Sequence, residues 1–156
     1  MSNIFKSMIP YLYFHAVISV KQTDLYAELL KELNYPFGDV FIFSGFVISE
    51  IKQGVNFSWN NHGKCITEDV SCFLGTDGRD IVYISNRINS YAVVALDWLA
   101  FFKNHYLLRG YYIVSDSKFG QLNMLIEALF FNSKIKNFNS IYEAVDRAKN
   151  KNVEVA

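Results

Sequence analysis

Two carboxylates, Asp39 and Glu50, stand at the outer ends of VFIFSGFVIS, residues 40–49. That segment has the pattern of two strands joined at Ser44-Gly45. A hairpin closed there brings its open ends together, so the two carboxylates can face each other. Facing carboxylates can hold a divalent ion; the competing assignment is two strand-end residues in water. Asp116, within Ser115-Asp116-Ser117, fits a turn or helix cap. Arg109, before Gly110 at a strand entry, has the chemistry to hold phosphate and equally to pair with a neighbouring carboxylate. Other chemistry is thinly represented. Cys65 and Cys72 are too few for a disulfide framework, and His15, His62 and His105 are scattered, whereas a zinc site needs four converging ligands. Both cysteines read as free thiols. Cys65 with His62, in one tight turn, lacks the third group that orients a nucleophile–base pair. No nucleophile elbow, Walker loop, dinucleotide fingerprint or zinc-protease motif is present.

These residues need elements to position them. Residues 11–20, dense in β-branched and aromatic side chains, predict a buried strand. Thr23 is an N-cap candidate. Leu25, Leu29, Leu30 and Leu33 predict a helix over 24–33 that Asn34 and Pro36 stop. Strands follow at 40–43 and 46–51, then a second hairpin at 54–67 turning on 60–63. Residues 70–74 are a short strand or turn, 75–78 a loop, and 81–84 a short strand or a helix entry. The longest helix is predicted over 89–105, with Tyr91, Val94, Ala95, Trp98, Leu99 and Phe102 on one stripe. A strand at 107–115 and helices at 119–131 and 141–148 complete the chain. The expected core includes Phe14, Val17, Ile42, Phe43, Val47, Val94, Leu99, Leu108, Ile113, Leu125 and Ile126.

This interleaving predicts an α+β protein: one domain over 1–150 with a flexible tail at 151–156, built on a mixed, mostly antiparallel sheet with helices packed on it. At 156 residues the chain is long enough to bury a core. Its 15 basic and 15 acidic residues cancel, which removes the electrostatic footprint of nonspecific nucleic-acid binding. Apolar runs are shorter than the roughly 20 residues of a membrane span. The run at 8–20 is broken by Pro10 and His15 and has no clear cleavage site. The expectation is a soluble cytoplasmic protein with no nucleic-acid or membrane partner.

Four fragments occur in the order found in the class III nucleotide cyclase homology domain, in its bacterial anti-phage pyrimidine-cyclase-like branch. FHAVISV at 14–20 is similar to the family's first strand, and FSGFVIS at 43–49 to its hairpin turn. Leu107-Leu108-Arg109-Gly110 resembles the strand entry after the long helix. Phe119-Gly120, Ile126-Glu127-Ala128 and Ser133-Lys134-Ile135 resemble a later helix. The likeness spans roughly residues 11–141 and implies a cyclase or ferredoxin-like fold. Such cyclases place two aspartates to hold two divalent ions; here those positions carry Ala16 and Gly45, and neither side chain offers an oxygen to a hard cation. The resemblance therefore implies a degenerate, non-catalytic member without a metal or other cofactor, acting as a regulatory module. It would bind a nucleotide or a protein, as a homodimer or with a cyclase-like partner. Ser44, Gly45, Arg109, Asp39 and Glu50 are the candidate ligand-binding residues. The alternative is a small bacterial immunity protein or phage inhibitor that binds a toxin or other protein. Aromatic anchors suit such a surface, and Trp59, His62, Tyr111 and Tyr112 are its candidates; as strand residues, the two tyrosines equally fit the core.

Overall fold

Gly45 adopts a φ of +85°, which costs glycine little, and so closes a hairpin between β2 (Gly38–Phe43) and β3 (Phe46–Ile51). The register sets Phe43 opposite Phe46 and Asp39 opposite Glu50. The computed structural model describes residues 17–116, 124–131 and 135–150. Strand β1 (Lys31–Tyr35) pairs antiparallel with β2. Beyond β3 the chain passes through β4 (Asn56–Phe57), a π-helical turn (Trp59–Gly63) and helix α1 (Lys64–Leu74). It returns as β5 (Val82–Asn86), parallel to β3. Next come β6 (Ala92–Val93), a 3₁₀ turn (Ala95–Asp97) and α2 (Trp98–Lys103), before β7 (Gly110–Val114) lies parallel to β5. A helical stretch at 124–128 precedes β8 (Ile135–Phe138), parallel to β7, and α3 (Ile141–Lys149) follows. The main sheet therefore runs β1-β2-β3-β5-β7-β8, while β4 and β6 form a small parallel sheet of their own.

The protein is α+β with a mixed sheet, as the interleaved pattern predicts. The expected antiparallel majority is corrected: β1–β2 and β2–β3 are antiparallel, and the other three pairs are parallel. The physical reason lies in the connections. Antiparallel partners can follow a two-residue turn, as at Ser44-Gly45, whereas parallel partners need a crossover long enough for a helix. Residues 52–81, 87–109 and 115–134 supply those crossovers. Parallel neighbours here have nothing inserted between them, unlike the split β-α-β of ferredoxin-like sheets.

Side-chain alternation sorts the sheet into two buried faces. One carries Phe41, Phe43, Phe46, Ile48, Val82, Ile84, Tyr112 and Val114, covered by Val20, Leu25 and the Ile141, Ala144, Val145 and Ala148 stripe of α3. The other carries Val40, Ile42 and Val47 against Ile66 of α1, then Tyr111 and Ile113 against Trp98, Phe102 and Phe131. Of the expected core, Ile42, Phe43, Val47 and Ile113 are buried. Val17 and Leu108 pack at its margins, Val94 is half-buried, and Phe14 lies outside the described residues.

Three expectations are corrected by helix length. The predicted helix over 24–33 is a 3₁₀ turn (Asp24–Glu28) leading into β1, because charged and polar residues at 31–34 suit an exposed edge strand. The predicted hairpin at 54–67 holds the π turn and the first residues of α1 instead; α1 then runs through 70–74 and ends where Gly75 turns left-handed at φ +66°. The predicted helix over 89–105 shrinks to α2, leaving Tyr91 in a loop beside β6. A helix that short presents Trp98, Phe101 and Phe102 inward at i, i+3, i+4 spacing, which leaves Leu99 50% exposed. Leu125 and Ile126 are likewise exposed, because Glu127 is the residue their helix buries. The predicted strand at 11–20 falls mostly outside the described residues; Val20 itself begins a 3₁₀ turn.

Candidate functional site

The small β4–β6 sheet stands off the main sheet, and the space between them is walled by aromatic side chains. Trp59 is held there by its backbone, whose N–H donates to Asp97 Oδ2 at 2.7 Å. Phe57 stacks near Tyr91 and His62. Helix α1 contributes Ile66 and Val70, and α2 contributes Trp98 and Phe101. The main sheet forms the floor with Val47, Tyr83 and Tyr111. Together they line a solvent-open cavity of about 120 Å³. Gly78, Leu107 and Leu108, from the loops before β5 and β7, and Val93, Val94 and Asp97, from β6 and the turn after it, complete the lining. Gly78 is required here: its φ is +101°, and a Cβ would sit 2.0 Å from the Leu107 carbonyl.

Several hydroxyls around this cavity are engaged. Thr67 donates to the Gly63 carbonyl at 2.7 Å, Ser49 and Tyr83 share a bond of 2.6 Å, and Thr76 bonds Asp80. Burial holds the Tyr83 phenol well above its ordinary pKa. Of the two carboxylates on the wall, Asp77 is clamped by the Arg79 guanidinium, which holds it down at about 2. The other is Asp97.

Behind the cavity floor lies a buried polar network. Arg87 and Glu127 form a salt bridge with side chains 4% and 1% exposed. Tyr111 donates to Glu127 and accepts from Arg87, Trp98 Nε1 donates to Glu127 at 3.3 Å, and Arg87 Nε donates to Ser85. Burial disfavours the charged guanidinium, yet Tyr91, Tyr111 and Glu127 outweigh it and hold Arg87 protonated. Burial and the Glu127 charge push the Tyr111 phenol far up. This network fixes Trp98 and Tyr111, and thereby two walls of the cavity.

The five candidate ligand-binding residues do not form one site. Ser44 and Gly45 sit at the N-terminal edge of the parallel strands. Arg109 is there too: the Gly45 carbonyl accepts from Val82 and the Ile81 carbonyl from Arg109. Asp39 and Glu50 sit at the opposite edge, five strand residues from Gly45, or about 16 Å. Arg109 Nη2 donates to the Ala148 carbonyl near the end of α3, a favourable place for a cation. The expected Asp39–Glu50 juxtaposition is present as a register pair, but each carboxylate is turned to its own partners. Asp39 accepts from Asn34 at 2.7 Å, with Lys21 4.0 Å away. Glu50 accepts from Ser19 Oγ, the Val20 N–H and Asn86 Nδ2 at 2.6–2.9 Å. Burial raises its pKa, the three hydrogen bonds oppose that, and Asp39 adds to it. Ala16 lies outside the described residues. Among those described, no three His, Cys, Asp or Glu side chains converge in a way that could hold a metal ion.

Trp59 lines the cavity, and His62 packs edge-on to Phe37 at 4.7 Å. Tyr111 and Tyr112 are each 1% exposed, on opposite faces of the sheet, so neither offers an interaction surface; both belong to the core because β7 is a central strand covered on both sides. Cys65 donates its S–H to the His62 carbonyl at 3.0 Å, while His62 Nδ1 accepts from Ser58. Burial pushes the thiol pKa up, the reverse of an activated nucleophile. The sequence reading passed over the cavity and the Arg87–Glu127 pair. The one available signal was an arginine and a glutamate amid apolar runs, Arg87 after VYISN and Glu127 within NMLIEALFF. No helix among the described residues is long and apolar enough to cross a membrane. Compared with protein-family models, curated proteins and solved structures, the chain matches none.

Proposed function

We propose that the protein is a non-catalytic binding module that takes a small, ring-sized apolar molecule into the cavity between α1, α2, the β4–β6 sheet and the main sheet. One observation carries this reading: a cavity of about 120 Å³ walled by Phe57, Trp59, Ile66, Val70, Trp98 and Phe101. Apolar cavities near 150 Å³ bind benzene-sized guests, and a ligand of that size binds with a Kd of about 0.1–1 mM at ordinary ligand efficiency. The engaged hydroxyls and the unactivated Cys65 favour binding over chemistry.

The test is a titration with 2-phenylethanol, followed by thermal shift and by protein NMR. Saturable binding that perturbs the α1 and α2 resonances, and that Val70→Phe abolishes by filling the cavity, is the expected outcome. A wild-type protein whose melting temperature and spectrum are unmoved at several millimolar sinks the reading, because a ligand of the native state must raise its stability.

A second reading, a protein-interaction module, rests on the outer surface of the same region. Leu96 and Leu99 on the α2 side, and Leu125, Ile126 and Leu129 on the neighbouring helical stretch, are 45–78% exposed. Trp98 and Phe131, ring centroids 5.0 Å apart, join the two stretches from beneath. An exposed apolar patch of this kind marks an interaction site on many soluble proteins. If Leu99→Asp with Leu129→Asp leaves the sedimentation behaviour and the set of co-purifying proteins unchanged, this reading fails.

A further inference from the structure

We propose that the cavity selects its guest by charge: an apolar ring carrying an ammonium or other hydrogen-bond-donating head, an arylalkylamine in chemical class, is accepted, and a carboxylate is turned away. The proposal rests on the cavity reading above and names the class of ligand that site takes.

The charges around the cavity have one sign. Its lining includes two carboxylates, Asp77 and Asp97, and no lysine, arginine or histidine. Asp77 is neutralised by Arg79, which donates to it from Nε and Nη2 at 2.7–3.1 Å. Asp97 differs. Its Oδ2 accepts the Trp59 N–H at 2.7 Å, and no ion pair to it occurs among the described residues. The residue is half-buried at the head of α2, so its charge is less screened than a surface carboxylate's.

The rings beside it reinforce that sign. Phe101 sits at the centre of an aromatic group, with Trp59 at 6.1 Å, Tyr106 at 5.7 Å and Trp98 at 5.3 Å between centroids. Aromatic faces carry negative charge density and attract cations, Trp most strongly. Asp97 and these rings line the same cavity, so a guest that enters it meets negative charge density. An ammonium there gains a charge-assisted bond. A carboxylate in the same place gives up its hydration and meets a like charge, with no cation on the wall to compensate it.

The experiment compares three ligands of matched shape on the full chain by isothermal titration or NMR: 2-phenylethylamine, 2-phenylethanol and 3-phenylpropionate, at pH 7 and low salt. The amine should bind at least tenfold more tightly than the acid, with the alcohol between them. Asp97→Asn keeps an oxygen for the Trp59 N–H and removes the charge; it should bring amine and acid to within about threefold of each other. Should that variant prove unfolded, the amine-to-acid ratio on the wild-type chain still decides. If the alcohol binds but the acid binds as well as the amine or better, charge selection is overturned and the cavity reading stands. If none of the three binds at millimolar concentration, both fall together.

Discussion

The Arg87–Glu127 pair gives the sharpest test of how the cavity walls are held. Glu127→Gln keeps the shape of the side chain but removes its charge and turns an amide donor toward Tyr111 and Trp98, both of which now donate to it. The Arg87 guanidinium, 4% exposed, is left with a weaker acceptor and the Ser85 and Tyr111 hydroxyls. Breaking a buried ion pair by removing one partner typically costs about 3–5 kcal/mol, because the remaining charge keeps its desolvation penalty. Against a total stability of about 5–15 kcal/mol, that is a fall in melting temperature of about 6–20 °C for a domain of this size. Urea unfolding followed by tryptophan fluorescence reads the loss directly, since Trp98 is in the network. The double variant Arg87→Met with Glu127→Gln should be less destabilised than the sum of the single variants by about 2 kcal/mol or more, the signature of coupled residues. A loss below about 1 kcal/mol for Glu127→Gln, or strict additivity in the cycle, would refute the claim that this pair is desolvated and mutually dependent.

Other expectations follow from single residues. Trp98→Ala should cost about 3–5 kcal/mol and Leu99→Ala no more than about 0.5 kcal/mol; equal losses in urea unfolding would show that α2 faces the other way. Gly78→Ala should lower the melting temperature severely, since its Cβ would meet the Leu107 carbonyl at 2.0 Å, and a melting temperature within 2 °C of wild type contradicts that close approach. Glu50 has a native pKa raised above its unfolded value, chiefly by burial. Its protonated form is thus favoured by folding, so its contribution is fully present below the unfolded pKa and is lost as pH rises through the native one. The stability of wild type relative to Glu50→Gln should accordingly fall between about pH 4 and the raised native pKa, and a difference that does not change with pH rejects the assignment. Cys72 is exposed and Cys65 is half-buried with its S–H engaged, so a thiol reagent should modify Cys72 first, in two resolved phases; a single phase for both would exclude the Cys65 environment described above.

The hairpin was legible because every local signal agreed there: alternating apolar residues on both sides of a Ser-Gly turn, with the register ends marked by Asp39 and Glu50. Helix α3 was legible for the same reason, with Ile141, Ala144, Val145 and Ala148 at helical spacing and Ser140 accepting the Tyr142 N–H as its cap. The segments 54–74 and 89–105 were not. Trp59 and Trp98 lie far apart in sequence, and what makes them one wall is a backbone bond from Trp59 to Asp97 across the β4–β6 pairing, which no local pattern encodes. Leucine spacing misled at Leu30 and Leu99, where propensity suggested helix interior and tertiary packing assigned an edge and an exposed face. The candidate residues and the cavity lie apart for a related reason. Motif fragments drew attention to Gly45 and Arg109 at one edge of the sheet, whereas the polar and aromatic groups converge on the face beneath α1 and α2.

The order of the strands also sets how the chain must assemble. The β1–β2–β3 meander closes through turns of a few residues, as at Tyr35 opposite Gly38 and Phe43 opposite Phe46, on the microsecond scale of hairpins. Each parallel partner is farther off: Phe46 meets Val82, Val82 meets Gly110, and Tyr111 meets Ile135, loops of roughly 25–35 residues whose closure entropy precedes any reward. The meander is therefore the template on which β5, β7 and β8 are laid in turn. A chain emerging from synthesis can present β3 as an open edge long before β5 exists to cover it. That edge, open on its β5 side with Val47 and Ile48 uncovered by helices, exposes the chain to aggregation.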